Sequence, residues 1–170
     1  MILININNLI QELEINKETN NYENNLDKWI SGENKILYIT GLMGSGKSTI
    51  GRQLSKQYNC QLLELDLFDK TIDEKYKKLE NREYIDFYFN KIKKDIKIYD
   101  KIIIEGVQIL YFNMFKENIN FEDSILIVNT SFLNSTFKSI KRDGITQTFN
   151  NILNNIQFQK QKNEFINNIK

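Results

Sequence analysis

The strongest chemical pattern in the chain is Gly41-Leu42-Met43-Gly44-Ser45-Gly46-Lys47-Ser48-Thr49. It fits G-x-x-x-x-G-K-[S/T], the spacing of a phosphate-binding loop. Glycines let the backbone turn so that several N–H groups converge on one point. A helix opening near Gly46 adds the positive end of its dipole. In that arrangement the backbone of Gly41, Met43, Gly44, Ser45 and Gly46 cradles phosphates, and Lys47 reaches the β- and γ-phosphates as a point charge. The Ser48 hydroxyl is placed to ligate Mg²⁺, and Thr49 lies near the α-phosphate. A nucleoside triphosphate with its metal, above all Mg·ATP, is the ligand this chemistry implies.

Three acidic positions sit at the ends of apolar runs. Glu64 and Asp66 close Gln61-Leu62-Leu63-Glu64-Leu65, and Glu105 closes Lys101-Ile102-Ile103-Ile104-Glu105. In a parallel sheet, ligands gather where strands end. A carboxylate there can hold the Mg²⁺ shell, contact a substrate, or take the proton of an attacking hydroxyl. Asp66 is the candidate general base and substrate ligand, with a helix N-cap or solvated turn as its structural alternative. Glu105 would end a buried strand, where a charge needs a partner, so it is a candidate for the metal and for the substrate. Which of the two is the base stays open.

Of the 23 basic residues only Arg52, Arg82 and Arg142 are arginines. Arg142 would end a helix, where it could close over the nucleotide and stabilise a transferring phosphoryl group, or simply answer the helix dipole. Arg82 falls in a helical stretch where it could meet an anionic group of a substrate or lie on a solvated face. Arg52 suits a structural ion pair and a substrate contact equally.

The elements that must position these groups are legible by periodicity. Ile36-Leu37-Tyr38-Ile39-Thr40 reads as a strand before the loop, and Ile50, Leu54 and Tyr58 recur at helical spacing after it. Residues 61–65 predict a second strand, and 73–98 one long helix or two, with Ile85, Tyr88/Phe89, Ile92 and Ile96 as the apolar stripe. Tyr84, Phe87, Tyr88 and Phe89 would pack in a core or stack a base. Residues 101–105 and 124–128 are apolar on both faces, as buried parallel strands are. A helix over 131–142, a turn at Asp143-Gly144 and a closing helix carrying Phe149, Ile152, Leu153, Ile156, Ile166 and Ile169 complete the pattern. A fifth strand after residue 129 is not visible. Strands alternating with helices predict an α/β, three-layer fold: a parallel sheet of four to five strands covered by helices on both faces.

Ahead of this lies an N-terminal extension, residues 1–34, expected to be helical and packed on the domain formed by 35–170. Ile6, Leu9, Ile10 and Leu13 suit a short amphipathic helix, although 1–6 could be an edge strand. Residues 16–25 read as loop. Leu26, Trp29 and Ile30 suit a second helix ended by Ser31-Gly32.

Composition excludes much. With 170 residues, 41% hydrophobic content and net charge +1, the chain reads as one globular domain. It has no histidine, which removes Ser-His-Asp triads and His-ligated metals, and its one cysteine, Cys60, allows no internal disulfide and suits core packing. There is no basic stripe with interleaved aromatics, so nucleic acid is not an expected partner. No run is long enough to span a membrane and the N-terminus lacks signal-peptide features, so a cytoplasmic location is expected. Oligomeric state leaves no trace in the sequence.

The segment from Gly41 to Leu54 resembles the opening of the shikimate kinases, and Glu64-Leu65-Asp66 falls where those enzymes carry a paired acidic motif. The glycine triplet they carry after the third strand is absent; Glu105-Gly106-Val107 stands there instead. That triplet and Lys141-Arg142-Asp143 look more like the uridine-kinase group, in which the Arg-Asp segment forms a lid over ATP, although nothing after Arg142 is arginine. The resemblance covers about residues 36–145 and implies a P-loop kinase that moves the γ-phosphoryl of Mg·ATP to a small hydroxylated acceptor, nucleoside- or nucleotide-like. A P-loop ATPase or nucleotide switch is the alternative, and a polynucleotide 5′-kinase a lesser one. A GTPase is disfavoured by the lack of an Asn-Lys-x-Asp sequence.

Overall fold

The computed structural model describes residues 22–70, 81–111, 115, 119, 122–129, 156 and 160–168. Its centre is a five-stranded sheet. The strands are β1 (Tyr22–Asn24), β2 (Ile36–Gly41), β3 (Gln61–Glu64), β4 (Ile102–Glu105) and β5 (Ser124–Val128), in the spatial order β1-β5-β2-β4-β3. β2 lies between β4 and β5 and runs parallel to both, and β3 runs parallel to β4. Only β1 is antiparallel, pairing with β5 from Tyr22↔Ile127 to Asn24↔Ile125.

Strand alternation sorts the apolar residues into two cores. Tyr38, Ile102, Ile104, Ile125 and Ile127 face one way, and there meet Ile92, Ile109, Leu110, Phe115 and Phe165. The helices on that face are α4 (Asn81–Ile98), α5 (Gln108–Tyr111) and helical residues 160–168. Leu37, Ile39, Ile103, Leu126 and Val128 face the other way, onto Leu26, Trp29, Ile50 and Leu54. Those belong to α1 (Leu26–Ser31) and α2 (Lys47–Tyr58). β4 and β5 are buried along their whole length, which is why their runs are apolar without alternation. The expected four parallel strands between two helical layers are therefore present. Among the described residues no helix is long and apolar enough to cross a membrane.

Two expectations are corrected. The fifth strand, β1, comes from a segment read as loop. Tyr22-Glu23-Asn24 has no apolar pattern of its own; the free edge of β5 supplies its hydrogen-bond partners. The second strand ends at Glu64, because Leu65 opens α3 (Leu65–Lys70) and is fully buried in the core. Of the helix expected over 73–98, the part from Asn81 to Ile98 is described and helical, and its start lies outside the described residues. The helix read over 26–30 is present as α1, closed by Gly32 at φ 91°. Phe87 packs on the core rather than standing free as a base platform. Cys60 is half-buried beside the second core. The predicted helix at 131–142, the turn after it and the elements of 1–21 lie outside the described residues.

Candidate active site

β2 leads straight into the glycine loop. Gly41 pairs with Val128, and a Cβ there would lie 2.3 Å from the Val128 carbonyl oxygen and 2.9 Å from Ser45 Oγ. No other residue fits so close an approach. Gly44 and Gly46 take φ of 78° and 95°, so the loop turns back over the start of α2. The turn is held by Ser45 N–H donating to the Leu42 carbonyl at 3.1 Å. Leu42 is buried against Val107, with Met43 half-buried beside them, so the loop is anchored on its apolar side.

Lys47 is the first residue of α2 and is only 6% exposed. Its Nζ stands 3.8 Å from Glu105 Oε1, too far for a hydrogen bond. Alternation places Glu105 here: Ile103 faces α2, and so does the residue two positions on. Glu105 is 1% exposed and its Oε1 has no hydrogen-bond partner. Burial pushes this carboxyl above its ordinary value of 4.5, against the Lys47 charge and a hydrogen bond from Ser48, with Asp66 and Glu64 pushing it up further. Buried carboxylates rarely go unpartnered. An oxygen without a partner beside a P-loop hydroxyl is what a divalent cation would complete, so Ser48 and Glu105 fit Mg²⁺. Among the described residues no group of three or more His, Cys, Asp or Glu could hold a metal, so such an ion would also draw on phosphate and water oxygens.

Asp66 lies in the first turn of α3 with its side chain exposed. Its Oδ1 accepts a 2.7 Å hydrogen bond from Gln108 Nε2. Glu64, its neighbour in sequence, is spoken for: both its oxygens accept from Arg52, at 2.7 Å each. Arg52 is thus an ion-pair residue. Thr40 Oγ1 donates to the Gly106 carbonyl at 2.8 Å and Gly106 N–H donates to the Ile39 carbonyl at 3.1 Å, tying the ends of β2 and β4 together. The outcome is one site at the carboxyl ends of β2, β3 and β4.

A family model described as Shikimate kinase matches residues 43–95. Shikimate kinases of Bacillus cereus strains AH187 and Q1 are each 46% identical over 44 residues, which is 26% of this chain. The matched stretch spans a quarter (25%) of those relatives' own length. Among solved structures, the 1.7 Å shikimate kinase from Bacteroides thetaiotaomicron superposes with a TM-score of 0.59, over 79% of this chain and 82% of that one, at 17% identity. The fold is that of the P-loop small-molecule kinases.

In this P-loop kinase fold, Gly41 to Thr49, Asp66 and Glu105 come together at one end of the sheet. Thr49 is exposed and Ser48 half-buried in the first turn of α2. Arg82 lies near the start of α4. Arg142 lies outside the described residues. Gln108 and Thr40 escaped the sequence reading. Gln108 is separated from Asp66 by 42 positions, and no local pattern announces the pair.

Proposed function

We propose that the chain is an ATP-dependent phosphotransferase that moves the γ-phosphoryl group of Mg·ATP to a hydroxyl of a small metabolite. The observation that carries this reading is the buried Glu105 with a free oxygen beside Lys47 and Ser48, at the foot of a glycine loop. Binding begins with the loop's N–H groups and Lys47 on the β- and γ-phosphates. Ser48 and Glu105 would hold Mg²⁺, which when bound neutralises charge on the phosphates. Asp66 orients the acceptor hydroxyl and takes its proton as the oxygen bonds to the γ-phosphorus. The bond from that phosphorus to the β–γ bridging oxygen breaks and ADP leaves. Lys47 stabilises the charge developing on the transferred group, so catalysis is mostly positioning and charge neutralisation. We assign Arg142 to a lid cation over the nucleotide and Arg82 to an anionic group of the acceptor.

The shikimate-kinase match over residues 43–95 supports a polyhydroxylated small acceptor and puts shikimate first for trial. The Glu105-Gly106-Val107 triplet, in place of three glycines, keeps nucleosides and nucleotides in second place. The test is ADP release from Mg·ATP with shikimate, nucleosides, nucleotides, sugars and an oligonucleotide in parallel. Release accelerated by a small hydroxylated compound supports the reading. Release at one rate whatever the acceptor contradicts it.

A further inference from the structure

Gln108 is 6% exposed, opens the short helix α5, and has no charged or catalytic character of its own. Its amide orientation is not ambiguous. Asp66 as a carboxylate can only accept, so the nitrogen must face it and the oxygen must face away. That oxygen, Oε1, is buried with no hydrogen-bond partner. Leaving a buried acceptor unpaired opposes folding. A Cβ at Gly106 would lie 2.5 Å from Gln108 Oε1 and 2.8 Å from Leu65 Cβ, so the glycine in Glu105-Gly106-Val107 leaves space for this amide and for the start of α3. The backbone on one side and the orphaned oxygen on the other both favour one outcome: a fixed N–H aimed at Asp66.

We propose that Gln108 is the positioning residue for Asp66, and that Gly106 is glycine so that Gln108 can reach it. This rests on the kinase reading, in which Asp66 receives the acceptor's proton. An exposed aspartate on a one-and-a-half-turn helix has several rotamers open to it. The charge-assisted bond from Gln108 holds Oδ1, leaving Oδ2 for the acceptor hydroxyl. Gln108 touches neither nucleotide nor acceptor; it acts through Asp66.

The pair of readouts is the Gln108→Leu variant and a side-chain amide spectrum. Leucine keeps the volume and removes both the hydrogen bond and the orphaned oxygen. The thermal midpoint should therefore stay level or rise, while acceptor-dependent kcat falls tenfold or more and the KM for ATP holds. In a double-mutant cycle, adding Gln108→Leu to Asp66→Asn should cost little further activity. A Gln108→Leu variant that is less stable, or that loses activity additively with Asp66→Asn, would make the role merely structural and overturn the proposal. Independent of turnover, the ¹H–¹⁵N signals of the Gln108 carboxamide should move to free-amide positions in Asp66→Ala. Signals that do not move would overturn it as well. If no acceptor stimulates the wild-type protein, the kinase reading fails, and the amide spectrum still decides whether Gln108 holds Asp66.

Discussion

Two buried or half-buried lysines, one at each end of the parallel strands, are settled in opposite ways. Lys101, just before β4, donates from Nζ to the Ile30 carbonyl at 3.1 Å and lies 4.3 Å from the Trp29 ring centroid and 4.9 Å from that of Tyr58. The two rings meet edge to face, with centroids 5.2 Å apart. Burial lowers the Lys101 ammonium below its usual range. This cation is fully employed in holding α1, α2 and β4 together. Lys47, at the other end, stands 3.8 Å from a Glu105 oxygen that itself lacks a hydrogen bond. Two further buried polar atoms at the same end of the sheet have no partner, Ser45 Oγ and Gln108 Oε1. At the first end Lys101 is spent on stability, while the indole N–H of Trp29 beside it is buried without a hydrogen-bond partner. At the other, a carboxylate oxygen, a hydroxyl and an amide oxygen are buried without partners among the described residues, at a cost to the unliganded fold.

Lys47→Ala should have the largest effect. Turnover should fall on the order of 10⁴-fold, the scale of losing a charge-stabilising cation in phosphoryl transfer. Circular dichroism should show the fold intact. Asp66→Asn should lower kcat by about 10²–10³-fold, in the range for a lost general base. The KM for ATP should hold. A fall confined to ATP affinity would make Asp66 a nucleotide ligand instead.

Glu105→Gln should weaken Mg·ATP binding by roughly 10–100-fold, judged by titration calorimetry. It should also act on stability, with a sign that follows from burial. The folded protein binds this carboxyl's proton more tightly than the unfolded chain does. Stability of the unliganded protein therefore falls as pH rises from the ordinary value of 4.5 through the raised one. Glutamine removes that slope, so the variant should be the more stable protein at neutral pH. Denaturant midpoints measured across that interval check this. A variant less stable at neutral pH would show that the Lys47–Glu105 pair is structural after all.

The smallest effect sharpens the contrast from the other end. Lys101→Ala removes the cation–π contacts to Trp29 and Tyr58 and one hydrogen bond, together about 1–2 kcal/mol. The thermal midpoint should drop by roughly 2–8 °C for a chain of this size, with ATP turnover unchanged. Lost turnover in a folded Lys101→Ala protein would erase the distinction between the two lysines.

What the sequence revealed and what it hid follow from the range of the interactions. Gly41 to Thr49 is legible because the loop's geometry is local and only certain residues can make it. β4 and β5 are legible because burial on both faces leaves uninterrupted isoleucine, leucine and valine. Glu105 stood out as a charge where such a strand should have none. β1 was hidden, since Tyr22-Glu23-Asn24 becomes a strand only when β5, a hundred residues on, offers its edge. The pairing of Arg52 with Glu64 needs α2 and β3 side by side, and the bond from Gln108 to Asp66 needs α5 and α3 at one strand end. Residue types named the candidates; only folding told Glu64, already paired, from Asp66, held and exposed.

Everything proposed for this site requires that the loop, Lys47, Ser48 and Glu105 together bind a magnesium-loaded triphosphate. Isothermal titration of the intact protein with Mg·ATP should show saturable binding at one site per chain, lost in Lys47→Ala and weakened when magnesium is withheld. Absence of binding by the wild-type protein, or binding that Lys47→Ala leaves untouched, would contradict it.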